Sequence, residues 1–152
     1  MNYHSEPGPM GMFTRLTRVG LLLDAFQHRC LDPFGLKFID YSVLRVLQLS
    51  GPPYELTTGE IGDTVLRSSG GMTLIVDRLE RSGLVERVTD RSDRRRVVVR
   101  LTPEGRELAQ RASAAYARER RRIIKELSAE EVEQTDAAIG LLLDVFTRAA
   151  HA

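Results

Sequence analysis

Apolar residues recur along this chain in two rhythms. From Met12 to about Leu31, the positions Leu16, Val19, Gly20, Leu23 and Cys30 follow helical spacing, with Gln27 the one polar interruption. Asp32-Pro33 should end that helix, because the residue before a proline is pushed out of the α region. The same rhythm returns from Ile39 to Ser50 through Val43, Val46, Leu47 and Leu49, and Gly51-Pro52-Pro53 closes it. TTGE at 57–60 places a threonine three residues before a glutamate, a capping box that predicts a short helix over Thr58–Val65. Ser68-Ser69 offers a further N-cap, and the following GGMTLIVDRLERSG predicts a helix over about 68–81 that stops at Gly83. The rhythm then shortens. LVERVT (84–89) and RVVVRL (96–101) read as two strands of a hairpin turning through DRSDRR. Thr102-Pro103-Glu104 starts a long helix to about Glu126, and a capping box from Ser128 to Glu131 starts a last one to Arg148.

This order predicts a mainly α fold with a small β-hairpin (α+β): a winged helix-turn-helix with further helices on both sides. Two short helices joined by a tight turn make the helix-turn-helix, with the later one as recognition helix. The hairpin that follows, about 88–97, has the place of a wing whose arginines can meet backbone phosphates or a minor groove. In the recognition helix, Met72, Ile75, Val76 and Leu79 share one stripe that should pack inward. The opposite side carries Gly70, Leu74, Asp77, Arg78 and Arg81. Leu74 points away from the core stripe, so it either contacts a thymine methyl or is a plain exposed leucine. Ser68, Ser69, Gly70, Thr73, Leu74 and Arg78 are the candidate DNA contacts of this helix, aided by its free N-terminal amides. Asp77 suits a polyanion badly unless it is paired, and Arg81 is its expected (i, i+4) partner.

Charge refines the picture. The net charge of the 152-residue chain is +1, so no global field draws in nucleic acid and any basic surface must be local. Between Arg87 and Arg100 six arginines (87, 91, 94, 95, 96, 100) face Asp90 and Asp93, a balance of 6 − 2 = +4. Of the 22 basic residues only Lys37 and Lys125 are lysines, a bias that suits phosphate forks and guanine edges but also follows from a GC-rich genome. A single cysteine, Cys30, excludes an internal disulfide framework and fits a reducing cytoplasm. No apolar run has the length of a membrane span, and the three histidines (4, 28, 151) lack metal-site spacing. No cofactor is expected. MNYHSEPGPM at 1–10 reads as a loose arm.

The motifs SSGGMT (68–73), DRLERSGLVER (77–87) and DRSDRRRVVVRLTPEG (90–105), with Leu56-Thr57 opening the short helix, resemble the MarR family of winged-helix transcriptional regulators. The resemblance runs from roughly Leu36 to Gly105 in motif detail and across almost the whole chain in helix order. It implies a non-enzymatic, cytoplasmic homodimer that binds pseudo-palindromic double-stranded operators, acts as a repressor, and releases DNA on meeting a small aromatic or lipophilic effector or on oxidation. On this view 11–37 is an N-terminal dimerisation helix, 38–101 the DNA-binding domain and 102–152 the C-terminal dimerisation helices. The last helix supports a subunit contact, since Ile139, Leu142, Leu143 and Phe146 share a stripe while Leu141 and Val145 face elsewhere. Ala109, Ala112 and Ala115 in the helix before it permit close packing. Asp93-Arg94-Arg95 matches the family's acidic-then-arginine turn, so Arg91, Arg94 and Arg95 are the wing candidates, Arg94 first. Many relatives carry polar or basic residues at the positions of Leu74 and Ile75. Phe26, Arg29, Phe38 and Tyr41 could line an effector pocket, although aromatics at helical spacing also serve simply as core. Cys30 lies several turns from the position of the family's peroxide-reactive cysteine, which leaves a buried, inert thiol as the alternative to a redox sensor. A protein-interaction module on the same fold is the other alternative.

Overall fold

The local signals become elements that need one another for cover. The computed structural model describes residues 8–94 and 96–150, so residues 1–7 of the expected arm and Arg95 of the wing lie outside it. Helix α1 spans Pro9–Leu31, with a proline in its first turn where no intrahelical N–H bond is lost. It starts three residues before the apolar rhythm does. A 3-10 turn at Asp32–Phe34 leads to α2 (Phe38–Leu49). Strand β1 (Glu55–Thr57) runs directly into α3 (Thr58–Val65), and α4 covers Ser69–Arg81. Strands β2 (Val85–Thr89) and β3 (Val97–Leu101) form the hairpin, followed by α5 (Pro103–Ile124) and α6 (Ala129–Ala150).

The hairpin belongs to a three-stranded antiparallel sheet in the order β1-β3-β2. Opposite Arg100 of β3 stand Glu55 on one side and Glu86 on the other. Its Nε donates to Glu55 at 2.6 Å and its Nη1 to Glu86 at 3.3 Å, so one guanidinium joins all three strands. Those bonds, Glu55 first, raise the Arg100 pKa further above its ordinary value.

Residues up to Tyr116 form one compact unit and Ala117 onward a second. In the first, Leu31, Val43, Leu44, Leu47, Ile61, Met72, Val76, Leu79 and Val99 make a core to which α1 contributes only its C-terminal end. Each such side chain removed from water contributes roughly 1.5–3 kcal/mol. Ala109 and Ala112 of α5 also lie in this core, so their small size serves packing within the chain rather than between copies. Two glycines allow close approaches. A Cβ on Gly62 would stand 2.9 Å from the Arg67 carbonyl oxygen and 3.1 Å from Cγ of Met72, so only glycine lets α3 and α4 close to this distance. A Cβ on Gly105 would overlap the Leu84 carbonyl oxygen, so the start of α5 is keyed to the strand of the wing.

In the second unit no residue of α6 is buried. Ile139, Leu143 and Phe146 of its apolar stripe are exposed, as are Leu141 and Val145. Among the described residues no helix is long and apolar enough to cross a membrane.

Candidate nucleic-acid interface

Helix α4 is built to start cleanly. The Ser68 hydroxyl accepts from the Gly71 amide at 3.3 Å, and the Thr73 hydroxyl donates to the Ser69 carbonyl at 3.1 Å. Before it, Thr57 and Glu60 complete the expected capping box, the Glu60 amide donating to Thr57 Oγ1 at 3.2 Å and the Thr57 amide to Glu60 Oε2 at 2.7 Å. The Thr57 amide, and then the Thr57 hydroxyl donating to the same oxygen at 2.7 Å, hold the Glu60 carboxyl below its ordinary pKa. Met72, Ile75, Val76 and Leu79 are buried as the stripe predicted, and Leu74 stands 69 % exposed on the far side. Ser68, Ser69, Gly70 and Thr73 are exposed around it. The turn between α3 and α4 carries Leu66 at φ 55°, left-handed and 81 % exposed.

The arginines divide into two kinds. Arg78 does not reach outward from α4. Its Nε donates to both carboxylate oxygens of Asp40 at 3.2 and 3.3 Å and its Nη2 bonds the same group. Asp40 is 4 % exposed and also accepts from the Lys37 amide at 3.4 Å, so it serves the first turn of α2 and anchors α4 together. Arg87, at the root of the wing, bonds Asp77 at 2.5 Å and also Glu80. The Asp77 bond, and then Glu80, raise its pKa further. Asp77 is therefore paired with Arg87 and not, as expected, with the side chain of Arg81, whose Nε donates to the Asp77 carbonyl at 3.2 Å. The apparent surplus of +4 around the hairpin thins accordingly, because Arg87 and Arg100 are neutralised by carboxylates other than Asp90 and Asp93.

At the tip, Asp90 accepts from the Ser92 amide at 2.8 Å and the Ser92 hydroxyl at 2.7 Å. These bonds hold its carboxyl below the ordinary range, and Arg96 lies 3.9 Å away. Asp90 and Arg96 also close the turn through the backbone, the Asp90 amide donating to the Arg96 carbonyl at 2.9 Å. Arg91 and Arg94 are exposed and have no carboxylate partner among the described residues. With Arg96, which is exposed but lies near Asp90, they are cations that the described part of this hairpin presents to solvent.

The suggested effector residues separate. Phe26, Phe38 and Tyr41 are joined by Tyr116 of α5, which sequence reasoning missed, with ring centroids 5.5 Å apart for Tyr41–Tyr116 and 5.6 Å for Phe26–Tyr116. Phe38 and Tyr41 also line an open cleft of about 810 Å³ between α1, α2 and the end of α3, with Lys37, Arg45 and Arg67 on its rim. Phe26 and Arg29 lie outside its lining. Cys30 is buried in the core.

Known proteins share both the sequence and the fold. A MarR family model matches residues 34–96. The HTH-type transcriptional regulator PecS of Dickeya dadantii (strain 3937) is 30 % identical over 132 residues, 87 % of this chain and 80 % of that protein. MhqR of Bacillus subtilis (strain 168), another HTH-type transcriptional regulator, is 30 % identical over 122 residues, covering 80 % and 82 % of the two chains. The crystal structure of AbsC from Streptomyces coelicolor superposes with a TM-score of 0.80 at 23 % identity, covering 94 % of this chain and 98 % of that one. A mutant of MarR from E. coli, solved in complex with operator DNA, gives 0.77 at 22 % identity over 87 % and 93 %. These likenesses, with the capped helix pair and its hairpin, establish that the chain belongs to the MarR family of winged helix-turn-helix transcriptional regulators.

Proposed function

We propose that this protein is a cytoplasmic homodimeric repressor that seats α4 in the major groove of a pseudo-palindromic operator and lays the wing on the backbone or minor groove. The observation that carries the reading is the pair of exposed arginines, Arg91 and Arg94, at the tip of a hairpin whose root is bonded to α4 through Arg87. Arg95 joins them in this assignment. In α4 the contacts fall to Ser68, Ser69, Gly70, Thr73 and Leu74. The guanidinium of Arg78 is reassigned to holding the helix, since Asp40 occupies it.

In this reading residues 11–37 and 102–152 join two copies and 38–101 bind DNA. The exposed Leu21, Leu22 and Leu23 of α1, and the uncovered apolar residues of α6, support a second copy as their cover. Two-fold symmetry then sets half-sites about one helical turn apart. A small aromatic or lipophilic effector relieves repression, and the cleft beside Phe38 and Tyr41 supports its seat.

The test is binding of purified protein to duplexes selected from a random pool, titrated against salt, beside its sedimentation. A dimer with operator preference and a steep negative salt slope is expected. A monomer at micromolar concentration, or equal affinity for every duplex, would overturn the reading. Derepression by a bound effector is scored with the operator placed upstream of a reporter.

A further inference from the structure

Past the serines at its start, the outward face of α4 has almost no means of donating hydrogen bonds to bases. Arg78 is held by Asp40, and Asp77 is held by Arg87. Arg81 bonds a backbone carbonyl and stands two turns beyond Leu74, whereas base edges are met by the N-terminal part of a recognition helix. Gly70 and Gly71 carry no side chain there. The Thr73 hydroxyl gives its proton to the Ser69 carbonyl, so the hydroxyls that keep a proton to donate are those of Ser68 and Ser69 at the very start of the helix. The large apolar group this face exposes is the isobutyl of Leu74, 69 % exposed. An apolar group on this face cannot recognise guanine, which offers N7 and O6 acceptors to the major groove. It matches the one apolar mark that groove carries, the C5 methyl of thymine.

We infer that Leu74 is a specificity-determining residue that reads a thymine methyl, so that each half-site holds a T·A pair whose recognition depends on that methyl rather than on a hydrogen bond. This rests on the proposed seating of α4 in the major groove. Thr73 packs against the same methyl or its neighbour, and Arg91 and Arg94 add affinity from the wing.

Deoxyuridine isolates the contact, because it pairs as thymine does and lacks only the methyl. The full chain is first used to select duplexes from a random pool. Each thymine of the selected half-site is then replaced singly with deoxyuridine, and affinities are read by fluorescence anisotropy. One thymine per half-site is expected at which the replacement weakens wild-type binding about four-fold, the ratio for about 0.8 kcal/mol of one apolar carbon. The exposed-site variant Leu74→Ala should bind the thymine duplex more weakly and show no further loss with deoxyuridine. Wild-type affinity unchanged at every thymine, or Leu74→Ala losing as much as wild type, overturns the inference while leaving DNA binding intact. Failure to enrich any duplex removes the DNA reading itself, and this inference with it.

Discussion

Replacing Arg78 with alanine separates a structural arginine from a DNA contact. Asp40 is 4 % exposed, and its carboxylate takes the Arg78 guanidinium at 3.2 and 3.3 Å from Nε. Without that group the buried carboxylate keeps the longer Lys37 amide bond at 3.4 Å. Breaking a buried pair from one side costs about 3–5 kcal/mol, because the remaining charge stays desolvated. The Arg78 side chain is 37 % exposed, so water reaches this site in part, and screening brings the expectation down to about 2–3 kcal/mol. For a chain of this length that lowers the melting temperature by roughly 5–10 °C. Wild type and variant must be compared at one protein concentration, since the melting of the proposed dimer depends on it. Adding Asp40→Asn to Arg78→Ala should return more than about 1 kcal/mol, the coupling expected of groups in direct contact. The reasoning fails if Arg78→Ala melts with the wild type and instead flattens the salt slope of DNA binding by about one, the behaviour of a phosphate contact.

Gly105→Ala forces a Cβ into the Leu84 carbonyl and should cost about 3 kcal/mol or more, seen as a collapse of the urea midpoint; an unchanged midpoint would mean that the α5–wing junction yields freely. Leu66→Gly should stabilise by about 1 kcal/mol, because a left-handed, largely exposed leucine gives up strain and little packing; a lower melting temperature contradicts this. Arg94→Ala should leave stability within about 0.5 kcal/mol and either reduce the salt slope by about one or relax selectivity at one base pair. The folded Asp90 pKa is depressed, so its contribution to the turn is present above the ordinary carboxylate range and is lost as pH falls through and below it. The Ser92 amide resonance should therefore move toward its unstructured position during acid titration, and a flat response would count against the Asp90 turn.

Local chemistry was readable from the chain. The TTGE box at 57–60 marked the start of α3, and the inward stripe of α4 was identified down to Ile75. What escaped depends on partners distant in sequence. Strand β1 has three residues, too few for an alternating pattern, and exists because β3 pairs with it about forty residues later. The Arg78–Asp40 bond spans 38 positions, and its one local signal was an acid inside the apolar rhythm of α2 that ought to have demanded a buried cation. Arg81 looked like the partner of Asp77 because both stand on one helix, yet Arg87 reaches Asp77 from the strand. Tyr116 was missed for the same reason, since its ring partners lie on α1 and α2.

The Arg87 bridge to Asp77 and Glu80 has a mechanical consequence. Reading helix and hairpin root are clamped side by side, so that one lets go less readily while the other holds on. A signal that loosened the proposed dimer from its site would have to change the span or tilt between two intact heads. An operator lengthened by one base pair at its centre would accordingly strain the seam between subunits and leave each half-site read as before.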